Sequence, residues 1–436
     1  MRVLHGSAEH LFAWLDQAIV SAVSFVTLIM LGRWTDPSML GAFAIACSVL
    51  TLLAASQDAL ITRPYAIKLH DPIGTAGEHA FHSLALCLVL AMAGTLVIGT
   101  GALAFAVSET ERVSAQMTGM LAGVIPFILV REFARRFAFA HLRTFQALLL
   151  DVAVAVVNFA LLGYFGWTGH LSALTALLSL GVACGLGGLG WLYLTRRQFT
   201  LRWARLAETF RQSWSLGKWL LSGQLAVQAQ GYVTLWLSLV IGGPAASGIY
   251  AAALSIVSFA NPLLFGFYNI LAPRAVRALQ CQGATGLRRQ AASDSLLLAL
   301  LMTPFCLLIY VFGADLQRML YPSVEYGADT HLLAILALGT FAGAVGVPAA
   351  VALSSAERAR AAARVRIAAA ALNIVLVSIL MALFGLLGAA YGMLTAELAG
   401  SLGCWLVLLL SFSDIERWSV RSSQLASGET AVAAVS

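Results

Sequence analysis

One stretch of this chain occurs twice, and the duplication restricts what the chain can fold into. Residues 15–51 align without a gap on residues 222–258, which lie 207 positions later. Both copies carry the same proline and glycine at the same short hydrophilic break: Pro37 with Pro244, and Gly41 with Gly248. Two apolar segments can match through composition alone, but they rarely share the residues of such a break. The sequence therefore predicts two related halves of roughly 200 residues each.

The composition places both halves in a bilayer. Hydrophobic residues make up 60% of the chain and charged residues only 11%, whereas a soluble domain carries about 25% charged residues. Long unbroken apolar runs favour helices, because a membrane barrel strand shows about ten alternating residues. We predict an all-α polytopic membrane protein with about 12 transmembrane helices, since a crossing needs about 20 apolar residues. The 12 predicted spans cover residues 11–31, 39–61, 81–107, 115–138, 146–166, 171–194, 217–241, 246–270, 291–313, 328–352, 367–386 and 388–411.

Basic residues are distributed unevenly over the two sides of these spans. Of the 26 lysines and arginines, all except Arg33, Arg112 and Arg318 fall on one side. The positive-inside rule makes that side cytoplasmic and places both termini there. Spans 1 and 7 then cross in the same direction, so we expect a parallel repeat related by an axis along the membrane normal. Topology also accounts for the net charge of +6 without a nucleic-acid partner.

The repeat and the loops predict four parts of the chain. The linker between the halves places arginines among Trp203, Phe210 and Trp214, a pattern typical of an amphipathic helix on the membrane surface. The C-terminal tail is rich in serine and alanine and is predicted to be disordered. The predicted parts are a six-helix lobe at 1–195, the cytoplasmic linker at 196–215, a second six-helix lobe at 216–413 and the cytoplasmic tail at 414–436.

Polar side chains inside the spans are costly and indicate functional positions. Each half has one such stripe at helical spacing: Gln17, Ser21 and Ser24 on span 1, and Gln224, Gln228 and Gly231 on span 7. We expect both stripes to face a central cavity, with Gln17 and Gln224 contacting a substrate. The alternative is that small and hydroxyl residues only allow close packing between helices.

Span 4 ends in an unusual run of charges: Arg131, Glu132, Arg135 and Arg136. Arg131 and Arg135 share one helix face, while Glu132 can pair with Arg136 four residues later. Arg63 and Arg274, each beside a proline, end spans 2 and 8. Arg131, Arg135, Arg63 and Arg274 could together form a basic cavity, because arginine suits bidentate phosphate recognition. Alternatively, they only follow the charge rule at cytoplasmic helix ends.

Three acids are candidates for ion coupling. Glu397 lies in the middle of span 12, whereas Asp16 and Asp58 lie nearer the cytoplasmic surface. A carboxylate in a low-dielectric site can carry a proton or hold a cation, or it can make a structural hydrogen bond. In addition, Asp151 on span 5 and Arg366 on span 11 occupy equivalent positions 215 residues apart and could form an ion pair between the lobes.

Three segments resemble polysaccharide flippases of the multidrug/oligosaccharidyl-lipid/polysaccharide exporter superfamily. They are LGRWTDPSMLGAFAIA at 31–46, GGPAASGIYAAALSI at 242–256, and the long run at 356–400, which contains Asn373 and Glu397. The resemblance implies two six-helix lobes and alternating access around a central cavity. It also implies a basic cavity for the pyrophosphate-sugar head of a polyprenyl carrier. The chain has only two lysines, so such a cavity would be built from arginine. Separately, the sequence has short loops and no P-loop or HExxH motif, so we expect no enzymatic activity.

The resemblance gives the expected function. We expect a flippase for O-antigen or exopolysaccharide precursors in the cytoplasmic (inner) membrane, without a cofactor or metal. Its expected partners are the lipid-linked oligosaccharide, membrane lipids, and a polysaccharide polymerase and glycosyltransferases. One alternative is a cation-coupled multidrug extruder with Asp16 or Asp58 at the centre of coupling. Another is a non-transporting scaffold of a polysaccharide synthesis complex.

Overall fold

The computed structural model describes residues 2–69, 75–107, 112–203, 206–327, 331–411 and 416, and in these parts of the chain it contains helices and no strand. Apart from residue 416, the tail predicted at 414–436 lies outside the described residues. The α-helices are α1 (Arg2–Trp34), α2 (Pro37–Gln57), α3 (Arg63–Lys68), α4 (Ala76–Val107), α5 (Arg112–Ala140), α6 (Thr144–Trp167), α7 (Ala173–Thr195), α8 (Leu206–Val257), α9 (Asn261–Leu320), α10 (Leu332–Ser355) and α11 (Ala359–Leu410).

Glycine bends explain how these helices supply the predicted crossings. In the described residues, nine helical segments are long and apolar enough to span a membrane, and two of them are far longer than one crossing. Gln230–Leu320 has 91 residues and Ala359–Leu410 has 52, against the roughly 20 that a bilayer needs. Positive φ angles interrupt the first at Gly243 (81°) and Gly283 (64°) and the second at Gly385 (64°). Broken at these glycines, the two segments supply five crossings, which confirms the predicted all-α fold with about 12 spans.

In the structure, the glycine of each repeat copy lies against the proline of the other copy. Asp36 caps α2 by accepting a 2.9 Å hydrogen bond from Met39 N, and Pro37 occupies the first helical turn. A Cβ on Gly41 would overlap the Pro244 carbonyl oxygen and lie 2.7 Å from Gly248 N, while one on Gly248 would overlap the Pro37 carbonyl oxygen. The repeated residues therefore allow two backbones to approach closely.

The chain divides into two compact units. The first comprises Met1–Leu239 and Gly243–Ala252, and the second comprises Val240–Gly242 and Ala253–Ser436. In the first unit, α5 packs against α4 and α7, and α1 packs against α6. In the second unit, α10 packs against both α9 and α11. The lobe boundaries expected from the repeat stay a prediction. By its contacts within the chain, α8 up to Leu239 belongs to the first unit.

Contacts in the first unit also hold the linker. The buried His82 of α4 has Nδ1 2.9 Å from Thr209 Oγ1 and Nε2 2.7 Å from the Arg202 carbonyl oxygen. The Nε2 atom donates to that carbonyl, so the neutral ring can accept from the Thr209 hydroxyl at Nδ1. The Trp203 ring packs edge-on against Phe81, with centroids 5.0 Å apart. These contacts hold the linker against the first turns of α4.

Candidate functional site

A buried charge cluster lies in the first unit, and α5 supplies most of its cations. This helix continues to Ala140, so Arg131 and Arg135 lie inside the helix, as the sequence predicted for an arginine pair turned into the bundle. Their side chains are 14% and 9% exposed. Arginines this deeply buried require partners, because an isolated charge in a low-dielectric interior is strongly unfavourable.

Arg135 joins three helices. Its Nη2 lies 2.6 Å from Asp16 Oδ2 on α1, and its Nε lies 2.9 Å from Asp151 Oδ2 on α6. The side chains of both aspartates are fully buried. Arg131 adds a second cation to the same acid, with Nη2 2.6 Å from Asp151 Oδ1. Asp151 therefore pairs with arginines of its own unit, which corrects the expectation that it pairs with Arg366.

Glu132 and Asp58 extend the cluster towards Arg136 and Arg63. Glu132 Oε1 lies 2.9 Å from Arg136 Nε, which confirms the predicted pair, and Glu132 Oε2 lies 3.2 Å from Arg131 Nη1. Asp58 begins a π-helical turn, Asp58–Thr62, between α2 and α3, and such turns often mark functional sites. Its Oδ2 lies 2.7 Å from Arg63 Nε, and its Oδ1 lies 3.9 Å from Arg136 Nη1.

With every group ionised, the cluster carries no net charge. Its members are four arginines and four carboxylates: Arg63, Arg131, Arg135, Arg136, Asp16, Asp58, Glu132 and Asp151. Three of the four arginines proposed from the sequence, Arg63, Arg131 and Arg135, are therefore in the cluster, and each lies beside a carboxylate instead of in a purely basic cavity. The carboxylates come from α1, the π-helical turn after α2, α5 and α6, so the balance arises only when these elements pack together.

A cavity of about 410 Å³ opens beside this cluster. Among the described residues that line it, none carries an aromatic ring. The polar lining includes members of both stripes predicted from the repeat: Gln17 and Ser24 from α1, and Gln224 and Gln228 from α8. The structure thus brings the two stripes to one cavity, although Ser21 and Gly231 are not among the lining residues.

Two carboxylates in the cluster have unused hydrogen-bonding capacity. Within the described chain, Asp16 Oδ1 and Asp151 Oδ2 are buried and receive no well-aligned hydrogen bond. Arg135 lies within ion-pair distance of both carboxylates. Sequence reasoning selected Asp16 for ion coupling but did not assign this role to Asp151. The sequence did contain one indication of the role of Asp151. Two arginines buried on span 4 require carboxylate partners, and neighbouring spans are where such partners can be found.

The remaining candidates, Arg274 and Glu397, belong to the second unit. Arg274 Nη1 lies 3.0 Å from Oδ1 of the buried Asp294, to which Gln290 also donates a 3.0 Å hydrogen bond. Glu397 on α11 packs against Gly343 of α10, where an added Cβ would lie 2.8 Å from Glu397 Oε2. Neither residue is part of the charge cluster in the first unit.

Comparisons with known proteins identify the fold. No family model matches the sequence, and no curated protein matches it. The inward-facing structure of a multidrug resistance MATE family transporter of the MOP superfamily matches with a TM-score of 0.77 at 15% identity, covering 93% of this chain and 99% of that chain. An outward-facing structure of such a transporter matches with a TM-score of 0.66 at 14% identity, covering 93% and 95%. The chain has the fold of MOP-superfamily transporters.

A third match widens the range of proteins that share this MOP fold. It is a MOP-superfamily transporter from Pyrococcus furiosus, described as having a binding pocket of reverse polarity, with a TM-score of 0.66 at 13% identity over 93% of this chain and 94% of that chain. At such identities the similarity concerns the fold. Within the MOP fold, these neighbours do not separate a polysaccharide flippase from a multidrug extruder, so the distinction depends on the residues of the site.

Proposed function

We propose that this protein translocates a polyprenyl-pyrophosphate-linked oligosaccharide across the cytoplasmic membrane by alternating access. The observation that carries this proposal is the pairing of charges around a cavity whose described lining is half polar and half apolar. Asp58, Glu132 and Asp151 line the cavity, and each lies within 4.0 Å of an arginine nitrogen. The MOP fold, shared with transporters in inward- and outward-facing states, supports the transport mechanism.

A glycan suits this cavity chemically. Sugar hydroxyls are neutral groups that both donate and accept hydrogen bonds, and the amides of Gln17, Gln224 and Gln228 do the same. Paired arginines and carboxylates still offer strong donors and acceptors without adding net charge. A lipophilic cation, in contrast, is held by aromatic ring faces or by an acid free to act as its counter-ion. The described lining supplies neither.

We further propose that the cluster couples transport to a proton or cation. Arg135 of α5 lies within ion-pair distance of Asp16 and Asp151, and each of these carboxylates has a buried oxygen without a well-aligned hydrogen bond in the described chain. Asp58, which begins the π-helical turn, is a further candidate for ion coupling in the same cluster. Glu397 is a separate candidate for ion coupling in the second unit. The proposed arrangement places both termini in the cytoplasm and has a polysaccharide polymerase and glycosyltransferases as functional partners.

The direct test is translocation in proteoliposomes with a fluorescently labelled lipid-linked oligosaccharide. The wild-type protein should expose the head group on the opposite leaflet. The double variant Gln17→Ala/Gln224→Ala should be slowed about tenfold, because two hydrogen bonds of about 0.5–1.5 kcal/mol each are removed. Ser21→Ala is the matched control, since this exposed residue of the α1 stripe does not line the cavity, and it should leave the rate unchanged.

Absence of translocation by the wild-type protein, with an intact synthesis complex, would replace the proposal with the scaffold function. The second candidate is the multidrug extruder, which is favoured by neighbours named as multidrug resistance transporters. It predicts that deleting the gene raises drug sensitivity and leaves surface polysaccharide unchanged. Our proposal predicts the reverse: loss of surface polysaccharide with unchanged drug sensitivity.

A further inference from the structure

The four arginines predicted to bind phosphate all have carboxylate partners. These pairs are Arg63 with Asp58 at 2.7 Å, Arg131 with Asp151 at 2.6 Å, Arg135 with Asp16 at 2.6 Å, and Arg274 with Asp294 at 3.0 Å. A phosphate that bound any of them would have to displace or compete with a buried carboxylate, which would then be left without its counter-ion. A phosphate site therefore requires a different cation.

Arg366 on α11 meets this requirement. It lines a cavity of about 400 Å³ within the second unit. Throughout the described parts of the chain, no carboxylate lies within ion-pair distance of Arg366, and its guanidinium makes no hydrogen bond. The charge of Arg366 is therefore available to a ligand that enters the cavity.

The repeat explains why no carboxylate of the described chain pairs with Arg366. Asp151 stands at the equivalent position of the first half, where Arg131 and Arg135 of α5 neutralise it. The helix that corresponds to α5 in the second half is α10, Leu332–Ser355, which contains no charged residue. The second half thus has a cation at this position and has lost the charged helix that would pair with it.

The rest of this cavity fits an amphiphilic anion. Beside Arg366 lie the hydroxyls of Ser354 and Ser355, and the other lining residues are apolar: Ala272, Val347, Ala350 and Val351. Ser354 Oγ donates a 2.9 Å hydrogen bond to the Ala350 carbonyl oxygen. The Ser355 hydroxyl has no such bond within the described chain, so it can donate to an anion. A guanidinium and a hydroxyl suit phosphate oxygens, while the apolar wall suits a hydrocarbon chain.

We propose that Arg366 and Ser355 form a binding site for a phosphate group, whose attached lipid chain lies along the apolar wall of the cavity. The inference rests on the proposed function only in naming a lipid as the source of the phosphate. Inorganic phosphate offers the same oxygens without the chain, so the experiment compares the two sources directly.

The test measures binding to the purified full-length protein in detergent, without any transport step. The probe is a fluorescent phosphatidic acid, compared with the matching diacylglycerol that lacks the phosphate. Arg366→Gln should weaken phosphatidic acid binding by about tenfold or more, because a charge-assisted hydrogen bond is lost. Arg366→Lys should lose less, since it keeps the charge. Arg364→Gln is the matched control: this residue is exposed on the same helix, does not line the cavity and undergoes the same charge change.

Three results would overturn the site: unchanged binding in Arg366→Gln, an equal loss in Arg364→Gln, or diacylglycerol binding as tightly as phosphatidic acid. Displacement of the probe by inorganic phosphate alone would support the phosphate site and make free phosphate a sufficient ligand. Tryptophan-fluorescence melting of Arg366→Gln and Arg366→Lys shows whether each variant is folded. Because binding is measured apart from translocation, a failed flipping assay would leave this result standing.

Discussion

Replacing Arg135 tests whether the charge cluster is built as described. Arg135→Gln removes the cation between Asp16 and Asp151, whose side chains are both fully buried. Removing one partner of a buried ion pair typically costs about 3–5 kcal/mol, because the other charge stays buried and unpaired. Arg136→Gln is the matched control on the same helix. The Arg136 side chain is 42% exposed, and a pair with such solvent screening contributes about 0–1 kcal/mol.

The expected difference between the two variants is therefore about 3 kcal/mol in the free energy of unfolding. It can be measured by denaturant unfolding in detergent, followed by the fluorescence of the chain's 10 tryptophans. A second variant, Asp16→Asn/Arg135→Gln, removes one carboxylate charge together with its partner. It should recover about 1–3 kcal/mol, because Arg131 still lies 2.6 Å from Asp151. Equal losses in Arg135→Gln and Arg136→Gln, or a double variant as unstable as the sum of its single changes, would refute the pairing.

Two further predictions concern the close backbone contact and the linker. Gly41→Ala should destabilise the protein by about 1–3 kcal/mol, because the added Cβ would overlap the Pro244 carbonyl oxygen. Gly123→Ala is the control, since nothing lies within 4 Å of a Cβ at that position. It should stabilise α5 by up to about 1 kcal/mol. Comparable thermal melts for the two variants would contradict the reciprocal contact. His82→Ala removes both hydrogen bonds that hold the linker, so trypsin should cleave the linker arginines faster. A digestion rate equal to that of the wild type would show that the linker is held by other contacts.

The helical architecture could be predicted from the sequence because it depends on local properties. The length of each apolar run predicts a crossing, and the break at Pro37 and Gly41 recurs at Pro244 and Gly248 in the second copy. The Glu132–Arg136 pair was predictable for the same reason, since residues four apart on a helix are neighbours. Helical spacing also identified Gln17 and Gln224, which line one cavity in the structure.

The charge balance of the site could not be predicted in this way. Arg135 and Asp16 are 119 positions apart in the chain, and their pairing depends on how α1 packs against α5. The sequence shows many arginines near the cytoplasmic side and few acids, so it favours a basic cavity. When the helices pack together, however, the few acids lie directly beside the arginines. Asp151 illustrates the problem, because its spacing suggested Arg366 as its partner while its neighbours in space are Arg131 and Arg135.

The duplication and the charge pairing together show how two similar halves acquire different chemistry. Position 223, the repeat equivalent of Asp16, is a glycine, and the equivalent of Asp151 is Arg366. The first half therefore holds acids and arginines in balance. The second half has Arg366 beside the uncharged α10, which is the position of the proposed phosphate site. Duplication followed by divergence thus places a balanced charge cluster in one half and the proposed anion site in the other.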